Sequence, residues 1–160
     1  MIRYLDNQEK GRTKDLWREA FPEDSEDFLD YYDQEKMSIN QVLVREEDGV
    51  IQSMLHQNPY RLQVRDTFWS VDYIVAVATR ESCRHQGRMR RLLAEALQQM
   101  YQEKIPFTFL MPASESIYLP FDFVTVYRQS LFTYGTEMEA DTDRPWHCVP
   151  CRWEQLKELA

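Results

Sequence analysis

A strand, a short basic turn and a helix are predicted to follow one another between residues 71 and 97, and this order constrains the fold most. Residues 71–79 form an apolar run rich in valine, which predicts a buried strand. From Gly87 onward, apolar side chains recur at helical spacing, which predicts an amphipathic helix. Residues 80–91, which join the two, contain five arginines and one acid in a chain whose net charge is -8.

These arginines lie at a helix N-terminus, where the backbone already carries positive partial charge. Each one is therefore unfavourable by about 0.3–1 kcal/mol unless an anion accepts hydrogen bonds from the free backbone N–H groups. Gly87 would let the backbone approach a phosphate closely, so we expect this position to tolerate a side chain least. The turn predicts a pyrophosphate site, and the alternative is an ordinary strand–turn–helix with a solvated basic patch.

The remaining pattern predicts a mixed α/β (α+β) fold in one domain, residues 1–139, with a C-terminal tail, 140–160. Asp48-Gly49 is a strong signal for a hairpin between two of the strands. The order predicts a largely antiparallel sheet with one parallel crossover. The predicted strands are 1–5, 41–47, 50–55, 61–64, 68–79, 106–111, 123–127 and 131–139, and the predicted helices are 6–21, 25–36, 87–104 and 114–121.

Composition excludes several classes of protein. No apolar run approaches the ~20 residues that cross a bilayer, and the N-terminus has no apolar signal segment. The three cysteines do not suggest a disulfide framework, so we expect a cytoplasmic protein without a membrane partner. A pI near 4.9 argues against a nucleic-acid partner. Seven acids within residues 23–35 form either a solvated helix face or a rim that attracts a cationic substrate.

A metal site is not expected, although the tail contains His147-Cys148-Val-Pro-Cys151. These residues offer three ligands, whereas a structural zinc site needs four. The remaining cysteine, Cys83, lies in the predicted phosphate turn. We therefore expect free thiols.

Two motifs resemble those of the GNAT superfamily of N-acetyltransferases. The spacing Arg84-x-x-Gly87-x-Met89 is similar to the family's coenzyme A pyrophosphate loop, in which the last position is usually Gly or Ala. Downstream, Tyr118-Leu-Pro-Phe-Asp122-Phe123 matches Tyr-x-x-x-Gly-Phe except at Asp122. The resemblance implies the GNAT fold, with a central parallel strand pair splayed around the coenzyme A site, helices on both faces of the sheet, and acetyl-CoA as cosubstrate.

The same resemblance assigns roles to individual residues. Tyr118 would protonate the departing thiolate. The base that deprotonates the acceptor stays open between Glu115, Asp72, His56 and a positioned water. Arg88 and Arg91 are candidates for a 3'-phosphate contact. The cofactor-binding residues implied are Val77, Ala78 and Thr79 beside the pantetheine arm, and Arg84, His85, Gln86, Gly87, Arg88 and Met89 around the pyrophosphate.

Residues 1–135 look most like the enhanced-intracellular-survival type of acetyltransferase. The resemblance rests on Asp48-Gly49, Asn58-x-Tyr60, Tyr73-Ile74 and the run from Leu110 to Tyr118, besides the turn. Members acetylate amines, including aminoglycosides and lysine side chains, and carry further domains. The implied function is transfer of an acetyl group from acetyl-CoA to a primary amine by direct attack. The acceptor would be a small molecule or peptide of aminoglycoside-, polyamine- or lysine-like type.

The sequence leaves two other functions as alternatives. It also leaves open whether the chain forms a homo-oligomer. The chain could be a non-catalytic acyl-CoA-binding sensor, for which the unusual Met89 and Asp122 argue. It could also be the first half of a longer enzyme of the same type.

Overall fold

A five-stranded mixed sheet is the centre of the fold. The structure is a computed structural model that describes residues 1–128 and 130, and its contacts divide the chain into units 1–118 and 119–160. The sheet lies in the first unit, in the order β1-β2-β3-β4-β5, with β4 and β5 parallel and the other neighbours antiparallel. The strands are β1 (Ile2–Tyr4), β2 (Gln41–Glu47), β3 (Val50–Val64), β4 (Thr67–Thr79) and β5 (Thr108–Phe109). The predicted mostly antiparallel sheet with one parallel pair is confirmed.

In the described part of the chain, the α-helices are α1 (Lys14–Ala20), α2 (Glu26–Glu35), α3 (Arg88–Gln102) and α4 (Glu115–Tyr118). The prediction of one helix over residues 6–21 was too long. Asp6 Oδ1 accepts the N–H groups of Gln8 and Glu9 at 2.9 and 3.0 Å, forming a local turn that competes with a helix start. A 3₁₀ turn, Lys10–Thr13, then precedes α1. Short 3₁₀ turns also span Glu81–Cys83 and, in the second unit, Leu119–Phe121.

Four predicted strands differ from the structure. The segments 50–55 and 61–64 belong to one long strand, β3, which continues through Pro59. Proline has no N–H to donate to a sheet ladder. It is tolerated here because it lies beyond the last pairing of β3 with β2, at Gln57, where that edge has no ladder partner among the described strands. The predicted strand 106–111 shrinks to the two residues of β5. Residues 123–127 form no strand. Strand 131–139, the domain boundary at 139, the tail 140–160 and the motif of His147, Cys148 and Cys151 lie outside the described residues.

Alternation along the strands gives the sheet two buried faces. One face carries Val42, Val44 and Met54 and packs in a core cluster with Leu16 and Trp17 of α1 and further residues of α2. The opposite face carries Leu43 and Leu55, and α3 contacts β2, β3 and β4. The buried residues of α3 are Leu92, Leu93, Ala96 and Met100. Helices therefore cover both faces, as predicted.

Leu92→Ala tests the packing of α3 on the sheet. Leu92 is completely buried, so truncation leaves a cavity and is expected to lower the free energy of unfolding by about 2–5 kcal/mol. Urea unfolding followed by circular dichroism measures the change. Gln98→Ala, at an exposed position of the same helix, is the control and should change stability by less than about 0.5 kcal/mol. Equal effects of the two substitutions would contradict the assigned helix face.

No helix within residues 1–128 and 130 is long and apolar enough to cross a bilayer.

Candidate active site

The parallel strands β4 and β5 part after two paired residues. Asp72 pairs with Thr108 and Tyr73 with Phe109, and the Thr108 hydroxyl donates to the Asp72 carbonyl at 2.6 Å. Strand β4 then runs on to Thr79, whereas β5 ends at Phe109. The parallel pair is therefore open beyond Tyr73, toward the C-terminal end of β4.

A β-bulge interrupts β4 where the strands part. His56 pairs with Val75 and Met54 pairs with Ala78, so Ala76 and Val77 together oppose the single residue Leu55. Ala76 has a φ of 51°, a left-handed conformation that non-glycine residues rarely adopt. Bulges re-aim side chains, and strained backbone concentrates at functional sites. The feature therefore marks this part of β4 as a candidate site.

A cleft of about 360 Å³ occupies this region, which is within the size range of small-molecule sites. Three of the residues singled out from the sequence, Val77, Met89 and Tyr118, line it together. The other lining residues are Trp17, Phe21, Glu23, Asp24, Phe28, Tyr73, Ile74, Val75, Ala76, Met111, Ala113 and Ile117. Ala78 is not among them, because its side chain is buried in the core cluster.

The turn before α3 contains two left-handed residues. His85 and Gly87 have φ values of 59° and 70°, and Gly87 caps α3 without a side-chain hydrogen bond to the first N–H groups. A Cβ built on Gly87 would meet no atom within 4 Å, so the space beside the backbone is open. Left-handed residues at a helix N-terminus turn backbone N–H groups toward one concavity, which suits a pyrophosphate.

Three of the five arginines around the turn make hydrogen bonds within the protein. Arg88 Nη1 donates to Glu47 at 2.7 Å, and this contact, with a further one from Arg45, lowers the pKa of Glu47 to about 2. Arg80 Nη1 donates to Glu19 at 2.6 Å, and Arg84 Nε donates to the Thr79 carbonyl at 3.2 Å. Glu47 thus supplies part of the negative charge that the sequence argument assigned to a ligand. Arg88 anchors the turn to β2, while Arg91 is exposed.

Tyr118 ends α4 and is half-buried. Burial raises the pKa of its phenol above the usual value, and the neighbouring Tyr73 adds to the rise. A raised pKa keeps the hydroxyl protonated at neutral and mildly alkaline pH. The side chain can therefore donate a proton or hydrogen bond into the cleft.

The structure bears on which residue could deprotonate the acceptor amine. His56 is completely buried, and burial lowers its pKa to about 3. Asp72 alternates in direction with the cleft residue Tyr73, and neither Asp72 nor Glu115 lines the cleft. The carboxylates that do line it are Glu23 and Asp24, which the sequence placed only in a general acidic rim. Asp24 Oδ2 accepts a hydrogen bond from the indole N–H of Trp17 at 2.7 Å.

The family comparison agrees with this geometry. The model of the acetyltransferase (GNAT) domain matches residues 1–126. The chain belongs to the GNAT family of acetyltransferases. It is therefore an enzyme, and enzymes of the GNAT family take their acetyl group from acetyl-CoA. Among the described residues, no group of three or more His, Cys, Asp and Glu side chains is placed to hold a metal ion.

Solved structures share the fold at low sequence identity. A probable N-acyltransferase from Enterococcus faecalis V583 has a TM-score of 0.69 at 18% identity, over 75% of this chain and 31% of that one. The aminoglycoside N-acetyltransferase AAC(6')-Iy, bound to a bisubstrate analogue, has a TM-score of 0.67 at 13% identity, over 84% and 97%. Glucosamine-6-phosphate N-acetyltransferase from Arabidopsis thaliana has a TM-score of 0.62 at 14% identity, over 84% and 98%. No curated protein matches the sequence significantly.

Proposed function

We propose that this GNAT enzyme transfers the acetyl group of acetyl-CoA to a primary amine by direct attack. The observation that carries the proposal is the cleft at the opening of β4 and β5, which brings Tyr118 and the bulge at Ala76 to the start of α3. The acceptors of the structural neighbours differ from one another, so the acceptor must be argued from the cleft of this chain.

Acetyl-CoA supplies an activated thioester. The backbone N–H groups of the turn around Gly87 would hold its pyrophosphate, since the space beside Gly87 is open and the helix N-terminus favours an anion. The backbone of β4 between Val77 and Thr79 lies beyond the last pairing with β5 and would accompany the pantetheine arm. Met89, where the family usually has a small residue, lines the cleft and would shape this side of it.

Three residues of the cleft would carry the chemistry. Tyr118 would give its phenolic proton to the sulfur as the C–S bond breaks after the new C–N bond has formed, and the proton that the acetylated nitrogen then loses would restore the phenol. Asp24, held by Trp17, would face the acceptor ammonium and receive its proton directly or through a water. Glu23 would add negative charge beside it. Holding amine and thioester together contributes the rest of the rate enhancement.

The acceptor is proposed to be cationic, of aminoglycoside, polyamine or lysine-like type. Aromatic rings of Trp17, Phe28 and Tyr73 line the cleft beside Glu23 and Asp24. Carboxylates and aromatic faces both attract ammonium groups. The resemblance of the sequence to the enhanced-intracellular-survival type supports the same acceptor class.

Asp24→Asn tests this acceptor assignment. The substitution keeps an oxygen for the Trp17 N–H but removes the charge and the proton acceptor, so KM for the amine is expected to rise about tenfold and kcat to fall, while KM for acetyl-CoA stays constant. The rise of KM with salt should also become shallower, because exposed charges are screened within ~10 Å at 0.1 M salt. Initial rates at several NaCl concentrations measure both effects.

Asp27→Asn is the matched control, since Asp27 is exposed on α2 and does not line the cleft. An anionic preferred acceptor, or equal effects of the two substitutions, would contradict the assignment.

Thiol release from acetyl-CoA with a panel of amines tests the proposed reaction itself. Release should depend on the amine and be fastest with primary amines that carry further positive charge. Tight coenzyme A binding without release for any amine would instead favour the sensor function.

A further inference from the structure

A chain of side-chain hydrogen bonds connects the turn before α3 with the end of β2. Arg88, the first residue of α3, donates from Nη1 to Glu47 Oε2 at 2.7 Å. The same guanidinium also reaches back along the turn, where Nε and Nη2 donate to Gln86 Oε1 at 3.2 and 3.1 Å. Gln86 Nε2 then donates to the Ser82 carbonyl at 3.3 Å. These bonds therefore span the turn from Ser82 to the start of α3 and fasten it to β2.

The backbone that these bonds span has an unusual conformation. His85 and Gly87, on either side of Gln86, have φ values of 59° and 70°. A left-handed residue other than glycine persists only where its surroundings hold it. The bonds that hold Gln86 therefore help to fix the two left-handed residues beside it. A Cβ built on Gly87 would meet no atom within 4 Å, so the space beside the backbone stays open.

Arg88 is oriented by the protein on all sides. Each of its three guanidinium nitrogens donates to a protein group, and its side chain is only 13% exposed. Its partner Glu47 is held as well, because Glu47 Oε1 accepts from Arg45 Nε at 3.0 Å and Nη2 at 2.7 Å. Charge-assisted hydrogen bonds of this kind are stronger than neutral ones. A guanidinium held in this way is suited to orienting the backbone of the turn.

We infer that Glu47 and Arg88 are positioning residues for coenzyme A. They hold the turn in the conformation in which its backbone N–H groups receive the pyrophosphate. A turn that is already ordered in the free protein avoids part of the entropy that binding would otherwise cost. The inference rests on the proposed function, since it takes the turn around Gly87 as the pyrophosphate site.

Glu47→Gln tests the role of the carboxylate. The substitution keeps the shape of the side chain and removes its charge, which weakens the bond to Arg88. In calorimetric titrations of the full chain, Kd for coenzyme A is expected to rise about tenfold, the loss of one charge-assisted hydrogen bond. Kd for 3'-dephospho-coenzyme A should rise by the same factor, because both ligands carry the pyrophosphate. KM for the amine should stay constant.

Glu46→Gln is the matched control. Glu46 is the neighbouring residue of β2 and, like Glu47, accepts hydrogen bonds from two arginines, in its case Arg3 and Arg12. Neither of these arginines belongs to the turn before α3. The side chain of Glu46 is 13% exposed and that of Glu47 is 33% exposed, so Glu46→Gln should lower Tm at least as much. It should leave Kd for coenzyme A unchanged, and an equal rise in Kd would overturn the inference.

Arg88→Gln distinguishes positioning from direct contact with the ligand. If Arg88 and Glu47 act as one unit, the double variant should bind coenzyme A no more weakly than the weaker-binding single variant. A guanidinium that contacted the 3'-phosphate would instead favour coenzyme A over its 3'-dephospho form, and Arg88→Gln would remove that preference. If Glu47 competed with a phosphate for Arg88, Glu47→Gln would tighten binding. Either of these results would overturn the inference.

Gln86→Met removes the middle of the chain of hydrogen bonds at an exposed position. It should also raise Kd for coenzyme A, and it decides the question if circular dichroism shows that the other variants do not fold. A parent chain that binds no coenzyme A would overturn the proposed function and this inference together. A parent chain that binds coenzyme A and releases thiol, with the same Kd in Glu47→Gln or in Gln86→Met, would overturn this inference alone.

Discussion

Tyr118→Phe is expected to lower kcat for acetyl transfer roughly 10- to 1000-fold, a range guided by general acid catalysis. The substitution keeps the ring in the cleft and removes only the hydroxyl that would protonate the leaving sulfur. KM for acetyl-CoA should barely change, because the loss is confined to the transition state. Steady-state thiol release measures both constants, and Tm should stay within a few degrees of the parent value.

Tyr101→Phe is the matched control, since Tyr101 is 79% exposed on α3 and does not line the cleft. It should leave kcat unchanged. An unaltered kcat for Tyr118→Phe would make Tyr118 a packing residue. A large loss of stability together with activity would make it a structural hydrogen-bonding tyrosine, and the thiolate would then take its proton from water.

Gly87→Glu is expected to abolish the rise in Tm that coenzyme A produces. The new side chain would enter the open space beside the turn and place a negative charge where the pyrophosphate is proposed to bind. Gly87→Ala should weaken binding without added charge. Differential scanning fluorimetry over a range of coenzyme A concentrations measures the effect.

Gly49 provides the control for backbone strain. Its φ of 77° is close to the 70° of Gly87, and a Cβ on either glycine would meet no atom within 4 Å. Gly49→Ala and Gly87→Ala should therefore lose similar stability, about 1–2 kcal/mol. Only Gly87→Ala should reduce the rise in Tm that coenzyme A produces. If coenzyme A raises the Tm of both variants as much as that of the parent chain, the pyrophosphate does not bind at this turn.

Turn residues and hydrophobic periodicity predicted the elements that form through interactions between residues close in the sequence. Asp48-Gly49 forms the hairpin between β2 and β3, and the apolar stripe after Gly87 forms α3. The bulge at Ala76 could not be predicted, because no glycine marks it and its cause lies in the pairing of β4 with β3. The short β5 could not be predicted either, since its partner β4 determines where pairing ends.

The residues of the candidate site were predicted only in part, because some of its contacts join residues that are distant in the sequence. Residue patterns singled out the basic turn and Tyr118, and Met89, the last residue of the predicted turn, lines one cleft with Tyr118. They missed the contact between Glu47 and Arg88, whose residues are 41 apart, and therefore overstated the need for an anion at the turn. They also missed Asp24, because only the folded α1–α2 connection shows that Trp17 holds this acid in the cleft.

Binding of coenzyme A to the unmodified chain tests the central claim most directly. The ligand should raise Tm by several degrees at a few hundred micromolar, and the rise should grow with the logarithm of concentration, because a ligand that binds only the folded state stabilises it by mass action. Isothermal titration should give one site per chain. Absence of both a Tm shift and a binding heat at these concentrations would contradict the account.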